Sequence, residues 1–415
     1  MNIFIIPSWY PSSGSPIAGI FFKEQAYYIG QLRPDWNIAI STWGQGQYTL
    51  PIRKPYQALT VLKKYYRNRK QQPVSLENNV HEYFSGALEW TPKIFNGNIK
   101  GIIRANEKNL ALAIENFGNI DVIHAHVSYP AGWIAMKLSE QYKIPYVITE
   151  HMSPFPFKMF LRKNGDLKNI VHEPLQNAAT VIAVSPSLAD RINGFGLDKP
   201  VFIPNVVNEE FFAPLPVMGK NEVKSKFSFF TLGGMTPQKG IPDLIAAIRM
   251  FVNKLSKEEQ TGVEFIIGGA GEEAEKYRIL AEREGISNWI RWLGGIDRTE
   301  ARYHFQHCDC FVLASHHETF GVVFAEAIAC GKPIIATRCG GPECIVNENN
   351  GLLVEVANPG QLAEALEQMY KSARDYNTDV IRQGFLSNFS RSAVINQLET
   401  VYYSILNRRE NLCVE

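Results

Sequence analysis

No stretch of this chain approaches the roughly 18 to 20 consecutive apolar residues that cross a bilayer, so membrane contact, if any, is lateral. The opening MNIFIIPSWYP has an apolar run of only four residues and lacks a basic flank and a small-residue cleavage site, so it reads as a first strand rather than a secretory leader. Charge of one sign is missing too: 42 Lys and Arg against 41 Asp and Glu leave a formal net charge of +1, which gives no global field for nucleic acid or an acidic surface. Cysteine is sparse, confined to Cys308, Cys310, Cys330, Cys339, Cys344 and Cys413, with no CxxC pair and no histidine at zinc-finger spacing; reduced thiols in a cytoplasmic protein are expected. There is no DxD triplet and no HExxH, so no metal site is expected. Tandem repeats, low-complexity tracts and heptad arrays are absent, which removes solenoids and coiled coils.

What the chain does have is length and an alternation. Its 415 residues, 45% hydrophobic and 20% charged, are enough for two cores. Short Ile- and Val-rich runs alternate with helical patterns, at 2–7, 37–43, 120–127, 144–151, 179–185 and 201–207, then again at 227–233, 263–269, 290–294, 310–315, 333–337 and 351–356. Runs apolar on consecutive positions suit parallel strands covered on both faces. The prediction is an α/β protein of two Rossmann-like doubly wound domains, 1–207 and 208–388, joined through the proline-bearing stretch IPNVVNEEFFAPLPVMGKNEVKSK. A closing helix over 389–415 has one apolar face, Val394, Leu398, Val401 and Ile405, behind a Ser390 cap, and is expected to pack back on the first domain.

Open parallel sheets bind ligands beyond the carboxyl ends of their strands, so two such edges predict a cleft between domains and make residues just after strands the candidates. HHETFGVVFAEAIACGKPIIAT is the sharpest such segment. A strand ends near Ser315, Glu318 lies in the loop, and a helix starts around Gly321, its free N–H groups and positive dipole end suited to a diphosphate. Glu326 sits about one turn further in, where a helical side chain leans back toward the amino terminus. Taken singly, Glu318 reads more simply as a partner of the helix amino terminus and Glu326 as a solvated helix residue; the whole arrangement favours a ligand site. LGGMTPQKG, after the first strand of the second domain, brings Lys239 to the same edge. In the first domain Gly19 follows the first strand, His126 ends IDVIHAHV with His124 expected on the opposite side of the strand, and Glu150 and His151 end the next strand on the acceptor side. Gly268, Gly269 and Gly271 in IIGGAGEE fall short of GxGxxG.

The Glu-x7-Glu spacing from Glu318 to Glu326, with Phe320 and Gly321 between, resembles the signature of retaining GT-B glycosyltransferases of glycosyltransferase family 4. The likeness extends through WYPSSGSPIAGIFFKEQ, HAH at 124–126, IPNVVN, LGGMTPQKG, IIGGAGEE, WLGG and the closing FSRSAVINQLETVYYSIL. It implies a GT-B fold and transfer of a sugar from a nucleotide diphosphate donor, UDP- or GDP-linked, to a polysaccharide or glycolipid acceptor, with retention and without a metal or other cofactor. It places Glu318 on the transferred sugar, Glu326 on the ribose, backbone N–H groups of Phe320, Gly321 and Val322 on sugar or phosphate, and Gly271 beside the base and phosphates. Gly19 would lie against the diphosphate, and His126 would touch the reacting sugar. Lys239 would stabilise the leaving diphosphate; many relatives carry an arginine five positions earlier, where this chain has Gly234.

IRKPYQALTVLKKYYRNRKQQ mixes Arg53, Lys54, Lys63, Lys64, Arg67, Arg69 and Lys70 with Tyr56, Leu59, Val61, Leu62, Tyr65 and Tyr66, a pattern for peripheral contact with anionic membrane on its cytoplasmic face or for a solvated insertion. FPFKMFLRK at 155–163 is a second patch of that kind. Other readings of the same architecture are a nucleotide-sugar epimerase, a phosphorylase with a lysine-bound pyridoxal group, or a catalytically silent nucleotide-sugar-binding protein.

Overall fold

The structure is a computed structural model that describes residues 1–12, 14–15, 18–51, 55–69, 71–77, 79–91, 95–215 and 226–412. It consists of two units: Met1–Val184 with Ala189–Ile203 and Ile395–Glu415, and Ser185–Leu188 with Pro204–Val394. Arg53, Lys54, Lys70 and Cys413 lie outside the described residues.

The first unit contains β1 (Asn2–Pro7), β2 (Asn37–Thr42), β3 (Val74–Glu77), β4 (Val80–Phe84), β5 (Val122–His126), β6 (Tyr146–Glu150), β7 (Thr180–Ala183) and β8 (Val201–Phe202). They form one sheet in the order β3-β4-β2-β1-β5-β6-β7-β8, with every pairing parallel except β3 with β4. Ile3, Phe4, Ile5 and Ile6 are all buried, the consecutive burial expected of a strand covered on both faces. β3 and β4 are additions to the predicted plan; their polar content hides them, and pairing on the β2 edge makes them strands. β8 is shorter than predicted: the Ile203 N–H still donates to Ala183 at 3.1 Å, and Pro204 follows.

The second unit contains β9 (Phe227–Leu232), β10 (Val263–Gly268), β11 (Ile290–Gly294), β12 (Cys310–Leu313), β13 (Ile334–Thr337) and β14 (Gly351–Val354), in the order β11-β10-β9-β12-β13-β14, all parallel. Counted from its own first strand this is 3-2-1-4-5-6, the dinucleotide-binding order. Its core is aromatic and aliphatic, with Phe229 stacked on Phe265 at 4.9 Å and Ile245, Ile248 and Phe251 buried beside them. The order reverses between β9 and β12 here, and between β1 and β5 in the first sheet. Those two points are where each sheet opens a crevice.

Ser390 caps the last helix, Arg391–Leu412, its Oγ accepting from the Ala393 N–H at 3.2 Å. Val394, Leu398, Val401 and Ile405 are all buried. From Ile395 onward this helix belongs to the first unit, where the Tyr402 hydroxyl meets His124 Nδ1 at 2.6 Å and Arg33 pairs with Glu399. Among the described cysteines none is bonded to another, and burial pushes the thiols of Cys330, Cys339 and Cys344 up to about 12, far from thiolate reactivity.

Candidate active site

In the second unit the switch point gathers three loops. The turn after β9 carries Gly233 and then Lys239, whose stem runs along Gly233, so a methyl group there would sit 3.5 Å from the lysine Cδ. Gly240 follows with φ +60, and a Cβ on it would come 1.8 Å from the Ala314 carbonyl oxygen beyond β12. Only glycine lets these two backbones meet. The same holds at Gly269 after β10, with φ +140 and the Gly233 oxygen 1.8 Å from its would-be Cβ. The glycines of IIGGAGEE therefore serve loop-to-loop packing, and Gly271 likewise lies against the Met235 backbone.

Across this junction Lys239 Nζ donates to Glu318 Oε1 at 2.5 Å, and Ser315 Oγ donates to the same oxygen at 2.7 Å. Glu318 is 8% exposed and bridges in strand fashion to Gly340, while Thr337 donates to the Ser315 carbonyl. A third loop, after β13, folds on itself where the Gly340 N–H meets both Glu343 oxygens at 3.0 and 2.9 Å. Gly321, at φ +87, opens the helix Val322–Ala329 without any side-chain cap of its own. The Phe324 N–H is taken by the Gly321 carbonyl at 2.9 Å, so the N–H groups of Val322 and Val323, with the positive dipole end, are presented beside a lysine. Phe320 is buried against Phe389 at 5.8 Å, which leaves its backbone as its polar contribution, and Glu326 is half-buried in the second turn.

At the switch point of the first unit, β5 ends in two uncharged imidazoles, those of His124 and His126. His126 is fully buried, with its Nδ1 3.2 Å from His151 Nε2, the Phe22 ring stacked 4.6 Å away, and its Nε2 without a hydrogen-bond partner among the described residues. Burial, with the neighbouring imidazoles adding to it, holds His126 well below the ordinary histidine range, and burial lowers His124 to about 3. The expectation that His124 faces away from His126 is overturned: residues two apart share a strand face, and the rings stack at 4.5 Å. His124 is further held by Thr149 Oγ1 at 2.7 Å. The carbonyl of His126 accepts from the Ser8 N–H at 3.2 Å. Beyond β5, Val127 sits at φ 78, a strained position for a β-branched residue.

Glu150 is buried with both oxygens occupied, Oε2 by the Ser128 N–H at 2.9 Å and Oε1 by the N–H groups of His151 and Met152 at 2.9 and 2.8 Å. Burial raises its pKa while these donors oppose the rise. It ties the loops after β5 and β6 together. Gly19 has φ +66, and its would-be Cβ lies 2.4 Å from the Trp9 carbonyl oxygen, so the close approach there is to protein backbone.

A model for "Glycosyl transferases group 1" matches residues 218–385, and one for "Glycosyltransferase Family 4" matches 79–211. An uncharacterized glycosyltransferase of Methanocaldococcus jannaschii is 30% identical over 257 residues, 62% of this chain and 67% of that one. The chain belongs to the family 4, group 1 glycosyltransferases. Its activity class is transfer of a sugar from a nucleotide sugar. TuaC of Bacillus subtilis, a glycosyltransferase provisionally assigned to teichuronic acid biosynthesis, is 25% identical over 433 aligned positions, 97% of this chain and 99% of that one. The GT-B fold is shared with sucrose-phosphate synthase of Thermosynechococcus elongatus (TM-score 0.71, 18% identity, 98% and 100% of the two chains) and with Anabaena HepE solved with UDP (TM-score 0.66, 17% identity, 97% and 100%).

In this glycosyltransferase the structure brings together Lys239 and Glu318, with Gly321 and Val322 opening the helix that follows. His126 and His151 meet each other in the first unit. Sequence reasoning missed Ser315 and the CGGPE loop at 339–343; a further glycine pair shortly after a strand was the available signal. Of the two basic aromatic patches, the helix Pro55–Asn68 does expose Tyr56, Leu59 and Tyr66, at 68, 63 and 63%. In the patch at 155–163 Phe155 and Phe160 are buried, while Met159, Lys158, Arg162 and Lys163 are exposed. Among the described residues no helix is long and apolar enough to cross a membrane, and no three His, Cys, Asp or Glu side chains gather as ligands.

Proposed function

We propose that this glycosyltransferase moves a hexosyl group from a UDP- or GDP-sugar to a glycan or glycolipid of the cell surface, with retention and without a metal ion. The observation that carries the reading is Lys239 Nζ on Glu318 Oε1 at the β9–β12 switch point, beside the uncapped helix Val322–Ala329. A diphosphate seated there exchanges its oxygens for the Glu318 carboxylate as the partner of Lys239, and Glu318 is released toward the sugar hydroxyls. The anomeric C–O bond to phosphate breaks, the acceptor oxygen bonds to that carbon on the same face, and the acceptor proton passes to the leaving phosphate oxygen. Lys239 and the helix N–H groups absorb the charge that develops on the diphosphate. Glu326 is assigned the ribose hydroxyls, and the orphan Nε2 of His126 a sugar hydroxyl. The end-to-end likeness to TuaC supports a cell-surface product, and HepE with UDP supports a uridine donor.

Product configuration read by NMR tests the course: an inverted anomeric centre rejects it. The exposed Tyr56, Leu59 and Tyr66 with Lys63, Lys64 and Arg67 are assigned to peripheral docking on anionic lipid at the cytoplasmic face. Cosedimentation with anionic vesicles should weaken as salt rises, and no binding at low salt rejects this part.

A further inference from the structure

A cavity of about 350 Å³ opens in the first unit where the loops after β1, β2, β4 and β5 converge. Trp9, Trp43, Trp90, Tyr10 and Tyr129 line it, so three of the chain's seven tryptophans face one space. Among the described lining residues Glu89 carries the formal charge. Its Oε1 accepts from the Trp43 Nε1–H at 2.6 Å and its Oε2 from the Gly46 N–H at 3.3 Å, which fixes the carboxylate in place. Lys23, which lies over the Tyr10 ring, is committed to Glu82 at 3.0 Å, and the Tyr10 hydroxyl donates to the same glutamate.

Indole faces carry negative quadrupole charge and a large apolar area. A pyranose offers the complement, a face of C–H bonds bordered by hydroxyls that donate to a carboxylate. A second anion meets the opposite response, since like charges in a partly desolvated site repel strongly. We propose that this cavity seats the terminal sugar of the acceptor as an uncharged pyranose, stacked on the Trp9 and Trp90 indoles and hydrogen-bonded to Glu89, and that it rejects uronic acids and sugar phosphates. Calling the occupant the acceptor rests on the glycosyl-transfer reading above; its binding and charge selection can be read without any donor.

The test is saturation-transfer NMR on the full chain, without nucleotide sugar, with matched methyl glycosides of neutral hexoses, N-acetylhexosamines and hexuronic acids. At least one neutral glycoside should bind about tenfold or more tightly than its uronate counterpart. Trp90→Ala should weaken that binding on the order of tenfold, while Trp90→Phe, which keeps an aromatic face, retains most of it. Glu89→Gln should bring the uronate to within about threefold of the neutral sugar. Equal or tighter uronate binding by the unaltered chain, absence of any neutral binding, or a Trp90→Ala variant that binds as before overturns the proposal. Nucleotide binding to the same samples separates the two readings: sugar binding without nucleotide binding defeats donor transfer, and nucleotide binding without sugar selection defeats the cavity.

Discussion

After β9 and β12 the second unit places a lysine and a glutamate in direct contact, whereas the first unit ends β5 in the buried imidazoles of His124 and His126, with the Phe22 ring stacked on His126. Both sheets offer a crevice at the reversal of strand order, and the chemistry set into it differs in sign and solvation. In the second unit the ion pair keeps partial exposure, with side chains 24 and 10% accessible, so an incoming anion can compete for the lysine. In the first unit His124 and His126 are wholly buried and remain uncharged. The second unit is built to meet charge. The other is built to hold shape.

The sharpest way to break this contrast is Lys239→Ala. If the lysine absorbs leaving-group charge, turnover should fall about 100- to 1000-fold, or roughly 3 to 4 kcal/mol, with nucleotide binding weakened far less. Steady-state kinetics beside calorimetric nucleotide binding checks this, and unchanged turnover removes the assigned role.

Acid should strike the first unit. A histidine whose folded pKa is lowered binds fewer protons folded than unfolded once pH drops below about 6.5, so its contribution to stability is present above that value and lost as pH falls. With His124 near 3, that ring alone should cost about 2 kcal/mol between pH 6.5 and 5, and His126, lowered by burial, acts in the same direction. Melting temperatures over that range should decline, and a His124→Gln variant should flatten the dependence; a flat profile for the unaltered chain would show that these rings are solvated.

Gly234→Arg sharpens the comparison most gently. The position has open space, with only Thr236 Cγ2 at 3.9 Å from a would-be Cβ, and its φ lies outside the left-handed region. A guanidinium there should lower the donor KM severalfold, about 1 kcal/mol, without altering the fold. An unchanged donor KM would mean that Lys239 and the helix terminus already saturate the diphosphate.

The strands of both sheets were legible wherever they were buried on two faces, as at Ile3–Ile6 or Phe311–Leu313, because apolar runs have one physical use there. β3 and β4 were not, since edge strands take their structure from the neighbour they pair with. Lys239 and Glu318 were recognisable as strand-end residues, but the oxygen where Lys239 and Ser315 meet joins loops after two strands, with Lys239 and Glu318 79 positions apart in the chain. Glu150 looked like a ligand-facing carboxylate by the same rule; the loops around it supply three backbone donors, which a linear pattern does not reveal.

Sequence by itself determined the two parallel-sheet units, the capped closing helix with its buried stripe, and the family, because periodicity, capping and glycine placement are local and act wherever they occur. Tertiary structure decided which side chains share an oxygen, which histidines stay neutral, and that three tryptophans and a carboxylate line one cavity. Those outcomes depend on distances between residues far apart in the chain, and desolvation acts through space.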